Sequence, residues 1–206
     1  MAKILLFGGT FDPVHNGHLQ TARAALQTLH ADRVMFIPAN TSPHKLSSPN
    51  GASAPQHRLA MLRLAIGNDS KMEVSDIELL RPPPSFTIDT LAILRRDRPA
   101  DTFILLIGAD QLGALHNWRE INTILETTSI AVLPRPGFAI LPTAPENIPD
   151  HLWNKVLAGV LDIPQHNISA TTIRQRLTRN LPLENQIPDA VLNYIRKYAL
   201  YGSAER

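Results

Sequence analysis

The chain runs to 206 residues, 44% apolar and 18% charged, which excludes a chain dominated by disorder and gives length enough to bury a core unaided. It has no cysteine, so disulfides, thiolate metal sites and cysteine nucleophiles are excluded. A formal net charge of only +2 argues against general nucleic-acid binding, and no apolar run approaches the roughly 20 residues of a membrane helix.

Met1-Ala2-Lys3 leads straight into Ile4-Leu5-Leu6-Phe7, too short an apolar stretch for a secretory signal, so a soluble, cytoplasmic protein is expected. Lys3–Phe7, closed by Gly8-Gly9, predicts a buried strand. Leu19, Ala22, Leu26 and Leu29 keep helical spacing over 19–29, and Arg33–Pro38 predicts a second strand. This strand–helix–strand order implies a parallel unit with a right-handed crossover. Thr41–Pro55, rich in Ser, Pro, Asn and Gly, predicts an exposed loop long enough to be functional. Helices follow at 56–66 and 87–95, strands at 103–107 and 129–133, and two closing helices near 171–179 and 188–198. Residues 136–150 are Pro-rich and predict irregular structure. Alternating strands and helices make the fold class α/β, a doubly wound parallel sheet with C-terminal helices. One domain over 1–206 is expected. In such sheets ligands bind beyond the C-terminal strand ends.

Charge says more by position than by sum. Residues 1–68 carry six Lys and Arg against Asp12 and Asp32, a local charge of +4, and five of the eight histidines. Such a bias suits a small anionic ligand, although a chance fluctuation reads the same way. After the first strand comes Gly8-Gly9-Thr10-Phe11-Asp12-Pro13-Val14-His15-Asn16-Gly17-His18, which is neither a dinucleotide G-x-G-x-x-G nor a Walker loop. Adjacent glycines allow close backbone approach. His15 and His18, three apart at a helix head, can project on one side, and that helix end suits phosphate. Each histidine alone reads as structural, and the pair as half of a metal site lacks a third partner nearby. Asp12-Pro13 reads as turn chemistry. Likewise Lys45 alone reads as a solvated lysine, Trp118 as packing, Asp110 as a helix cap, and Arg135 and Arg174 as surface charges.

Taken whole, the run from Gly8 to His18 resembles the signature of the H-x-G-H nucleotidyltransferases, and Ile168-Ser169-Ala170-Thr171-Thr172-Ile173-Arg174 resembles their second signature. Further stretches resemble the bacterial nicotinate-nucleotide adenylyltransferases. These are Pro43-His44-Lys45, Pro84-Ser85-Phe86-Thr87 with Thr90-Leu91, Ile107-Gly108-Ala109-Asp110, Trp118, and Arg135-Pro136-Gly137. Phe86 stands where that family often has Tyr, and Arg119 where some members place an aromatic. The resemblance implies a Rossmann-like fold and transfer of AMP from ATP to nicotinate mononucleotide, giving deamido-NAD and pyrophosphate. It implies His15, His18, Lys45 and Arg174 as catalytic groups. Gly8, Gly9, Thr10, Phe11, Gly108, Asp110, Ile168, Ser169 and Thr171 would join His15, His18 and Arg174 in holding ATP. Lys45, Ser85, Thr87, Trp118, Arg119 and Arg135 would hold nicotinate mononucleotide. Mg²⁺ is expected to arrive with ATP without dedicated protein ligands. The expected partners are these small molecules, with no nucleic acid and no membrane. Other acceptors (nicotinamide mononucleotide or phosphopantetheine), a non-catalytic ATP-binding domain and a metal hydrolase are the rival readings. Oligomeric state is not legible.

Overall fold

A computed structural model describes residues 1–40 and 52–202. Its strands are β1 (Lys3–Gly9), β2 (Arg33–Pro38), β3 (Met72–Val74), β4 (Thr102–Gly108) and β5 (Ser129–Leu133), all parallel in the order β3-β2-β1-β4-β5. The apolar runs of β1, β2, β4 and β5 are continuous because both faces of the sheet are covered, as parallel sheets require. Side chains alternate between two cores. Leu5, Val34, Phe36 and Leu106 enter one, while Ile4, Leu6, Met35 and Leu105 enter the other.

The first core is closed by α1 (Asn16–Thr28), α2 (Pro55–Ile66), α6 (Ala170–Thr178) and α7 (Asp189–Lys197). The second is closed by α3 (Thr87–Asp97), a 3₁₀ helix (Ala109–Asn117), α4 (Ile121–Thr127) and α5 (Asp150–Ala158). Each helix contributes an apolar stripe: Leu19, Ala22, Ala25 and Leu26 from α1, for instance, and Leu152, Trp153 and Val156 from α5. The expected doubly wound sheet with C-terminal helices is therefore observed, and no helix among the described residues is long and apolar enough to cross a membrane.

Several details differ from expectation. Helix α1 begins at Asn16, three residues before the first leucine of its apolar stripe, because His15 caps it. The elements β3, the 3₁₀ helix, α4 and α5 were not anticipated. The first is only three residues long, and α4 spans seven. The irregular stretch after Pro136 holds no regular element until α5 starts at Asp150. Strand order reverses between β1 and β4, so the crevice where such folds bind ligands opens above Gly8-Gly9 and Gly108.

Candidate active site

The loop leaving β1 is held from several sides. Phe11 takes a left-handed backbone (φ 51°), a costly conformation for a bulky residue. Its buried ring is fixed edge-on against Phe7, Phe36 and His18, with centroids 5.6, 5.7 and 5.1 Å away. Helix α1 then starts with a reciprocal cap made of two histidines. The His18 backbone N–H donates to His15 Nδ1 at 3.3 Å, and the His15 N–H donates to His18 Nδ1 at 3.2 Å. The rings stack 3.6 Å apart. Because both Nδ1 atoms accept, each neutral imidazole carries its proton on Nε2. Burial, with the nearby Arg135 charge, lowers the His15 pKa to about 4. Burial also holds His18 well below the ordinary value, followed by the effects of His15 and Arg135. At neutral pH the pair is uncharged and offers two Nε2–H donors.

This cap changes the expected picture of a helix end presenting free amides. The His18 N–H is spent on His15, and the Asn16 N–H donates to Gln186 C=O at 2.9 Å. Of the three first-turn amides only that of Gly17 is left without a hydrogen bond among the described residues, beside the two imidazoles. Gly17 joins the two signatures: a Cβ there would stand 3.1 Å from His15 Nδ1 and 3.3 Å from Ile168 Cβ, so a side chain would make one of them give by a few tenths of an ångström. At the head of α6, Ser169 Oγ accepts from the Thr172 N–H at 3.1 Å. The first-turn amides of Ala170 and Thr171, which border the cavity, have no partner within the helix. Arg174 reaches back, donating from Nη1 to Asp12 C=O at 2.6 Å and from Nη2 to Thr171 Oγ1 at 3.4 Å.

Across the cavity, α3 begins at Thr87 with Phe86 as an N-cap that makes no side-chain cap bond. Its first amides, beside buried Ser85, therefore have no side-chain cap and no intrahelical partner among the described residues. Trp118 ends the 3₁₀ helix half-buried, its indole N–H without a partner among the described residues. Arg119 lies over the Phe86 ring, 5.1 Å from its centroid, and pairs with Asp89 at 3.7 Å. Asp110 is not a cap of the kind expected, since the 3₁₀ helix starts without a side-chain cap bond. Instead its Oδ2 accepts from Arg135 Nη1, while Oδ1 is buried without a partner among the described residues. A Cβ on Gly108 would stand 2.2 Å from that Oδ1, so the glycine makes room for the carboxylate.

One cavity of about 1250 Å³ is bordered by the glycines and histidines of the first signature, by Ile168 to Arg174, and by Ser85, Thr87, Trp118, Arg119, Asp110 and Arg135. Every expected site residue except one thus borders the same space. The exception, Lys45, lies outside the described residues. The cavity also touches Asp12, Asn40, Ser53, Arg58 and Glu78, none of them expected. Burial holds the Glu78 carboxyl above its usual range, against the Thr90 hydroxyl that donates to it at 2.8 Å. Among the described residues no group of three or more His, Cys, Asp or Glu could hold a metal ion.

Residues 6–176 match the cytidylyltransferase-like family, the class that this sheet and paired-histidine site define. A probable nicotinate-nucleotide adenylyltransferase of Roseiflexus sp. (strain RS-1) is 42% identical over 97% of this chain and 98% of its own length. One from Neisseria gonorrhoeae (strain NCCP11945) is 39% identical over 98% and 99%. The chain belongs to the cytidylyltransferase-like family and, within it, to the nicotinate-nucleotide adenylyltransferases. Plasmodium falciparum nicotinic acid mononucleotide adenylyltransferase, in a complex with APC, shares the fold, with a TM-score of 0.77 over all of both chains at 20% identity. The same protein in complex with NaAD gives 0.76.

Proposed function

We propose that the chain, acting as one cytoplasmic nucleotidyltransferase domain over 1–206, transfers AMP from ATP to nicotinate mononucleotide. An ionised phosphate oxygen of the mononucleotide attacks the α-phosphorus. The new P–O bond forms as the bond to the bridging oxygen breaks, and pyrophosphate leaves with the electron pair. The nucleophile needs no general base, so catalysis is positioning and charge stabilisation. The Nε2–H groups of His15 and His18, the Arg174 guanidinium and the amides leading α6 are the donors for the ATP phosphates. Lys45 adds charge from its segment. Gly8 to Phe11, Gly108 and Asp110 line the nucleotide side.

The open amides of α3 at Thr87, beside Ser85, suit the nicotinate carboxylate, because hydrogen bonds to a charged acceptor are roughly twice as strong as neutral ones. Trp118 supplies a ring face for the pyridine, and Arg119 and Arg135 add positive charge nearby. Mg²⁺ neutralises phosphate charge when bound. As a hard cation that keeps its waters, it would be held by the ATP phosphates and water rather than by dedicated protein ligands.

The observation that carries this reading is the single cavity shared by the two signatures and the uncapped start of α3. The test is pyrophosphate release with ATP and Mg²⁺ against nicotinate mononucleotide, nicotinamide mononucleotide and phosphopantetheine in parallel. Release with nicotinate mononucleotide far above the others is expected. Preference for another acceptor overturns the substrate, and ATP binding without release from any acceptor overturns the reaction.

A further inference from the structure

Asp12 belongs to the first signature, yet the reaction proposed above gives it nothing to do. The chain surrounds it with partners from distant segments. Its buried carboxylate accepts from Tyr201 Oη at 2.5 Å on Oδ1 and from the Ser53 N–H at 3.2 Å on Oδ2. Its main-chain carbonyl accepts from Arg174 Nη1 at 2.6 Å. Thr178 Oγ1, one turn beyond Arg174 on α6, lies 3.0 Å from both the Arg174 and the Tyr201 carbonyl oxygens. Behind this group Arg58, 1% exposed, donates to the carbonyls of Thr10, Asn40 and Ser53 at 2.9, 3.2 and 3.0 Å.

A fully buried guanidinium and a buried carboxylate are costly to hold away from water unless each is bonded. Here the guanidinium is bonded to the Thr10 carbonyl of the loop that leads to His15, and the carboxylate, bonded to Tyr201 and Ser53, belongs to the same residue whose main-chain carbonyl receives Arg174. Tyr201 itself sits in a left-handed conformation (φ 58°), which is costly for a non-glycine residue, and its hydroxyl meets Asp12.

We propose that Asp12 is a positioning residue, through which Tyr201 sets the Arg174 guanidinium against the ATP phosphates. The inference rests on the proposed adenylyl transfer and adds residues to it. Asp12 and Tyr201 touch no reacting atom. Their hydrogen bonds set the angle at which the Asp12 carbonyl meets Arg174, and a small misplacement of a phosphate clamp costs rate more than it costs acceptor binding.

The test is a double-mutant cycle on the full chain with Tyr201→Phe and Arg174→Ala, reading kcat, KM for nicotinate mononucleotide, Kd for α,β-methylene ATP and Tm. Tyr201→Phe is expected to lower kcat about tenfold and to weaken the ATP analogue, with KM for the mononucleotide within about twofold. In the Arg174→Ala background the same substitution is expected to cost less than about twofold, since the group it positions is gone. An unchanged kcat in Tyr201→Phe, or an equal further loss on top of Arg174→Ala, overturns the proposal. A wild-type chain that binds the analogue but releases no pyrophosphate overturns the adenylyl-transfer reading alone. The same non-additivity, read on Kd, then decides the role of Asp12.

Discussion

Histidine is a poor default for a helix cap, where Ser, Thr, Asp and Asn lead, and its use at position 15 separates two jobs that one side chain performs. Nδ1 closes the helix, which leaves Nε2–H as the donor of a ring that borders the cavity. His15→Asn is expected to keep the cap, with Tm within a few degrees, yet to lower kcat sharply; parallel melting and turnover measurements check this. His18→Ala removes the other donor, and its kcat is expected to fall roughly 10²–10³-fold, the usual scale for losing one transition-state donor. Near-normal turnover in that variant would sink the assigned role. Because the folded His15 pKa of about 4 lies below its unfolded value, the unfolded chain binds more protons between about pH 6.5 and 4. Stability should therefore fall as pH drops through that window and level off below it, a loss on the order of 3 kcal/mol from this group. Denaturant melts from pH 7 to 4 read the effect, which His15→Asn should reduce, leaving the part that burial of His18 contributes. Activity, by contrast, should show no limb near pH 6.5, since both rings are already neutral there.

The strand ends and helix joints make a second kind of prediction, because two glycines fail in opposite ways. On Gly108, at the end of β4, a Cβ meets the tip of the Asp110 side chain, which can swing aside. Gly108→Ala is expected to leave Tm nearly unchanged while breaking the Asp110–Arg135 pair and lowering kcat/KM. On Gly159, at the end of α5, a Cβ would stand 2.2 Å from the backbone oxygen of Ile130. There β5 is paired through Val132 N–H to Gly159 C=O at 2.8 Å, so the backbone cannot yield. Gly159→Ala is expected to cost about 2–4 kcal/mol, a severe value with a named steric cause, with turnover preserved at low temperature. Paired melts and kinetics distinguish the two. Legibility divides at this scale as well. Strands buried on both faces announce themselves as apolar runs, which is why β1, β2, β4 and β5 could be placed from residues alone. Met72–Val74 is too short to show a period, and the Leu152, Trp153 and Val156 stripe of α5 was legible but followed a Pro-rich stretch that masked it. The signatures placed the His15–His18 pair and Arg174. They could not place Tyr201 beside Asp12 or Arg58 beneath Thr10, because those bonds join segments 48 to 189 residues apart, and local spacing carries no trace of them.

Across the whole molecule, the two halves of the cavity rest on different cores. The histidines and Arg174 ride on α1 and α6, which pack on one face of the sheet, while α3 and Trp118 belong to the other. They meet above the seam where β1 pairs with β4 in parallel. Charge does little of this work at long range. Arg58, Arg119, Arg135 and Arg174 border the cavity together with Asp12, Glu78 and Asp110, and Arg58 and Arg135 are already engaged by carbonyls and by Asp110. The positive bias of residues 1–68 therefore does not become an open basic basin among the described residues, and on the proposed reading anions meet individual donors instead. A ligand that fills both halves should consequently bind much more tightly than either part, since the second half is captured at a high effective concentration. Anything that binds the folded chain stabilises it by mass action, by about 2.7 kcal/mol at a hundred times Kd, and so raises Tm. At equal concentration, deamido-NAD is expected to shift Tm more than either α,β-methylene ATP or nicotinate mononucleotide. Thermal melts with each ligand at one fixed concentration make the comparison. A dinucleotide shift no larger than that of the better mononucleotide would mean that only one half of the cavity is engaged, and that the seam between β1 and β4 does not join two subsites.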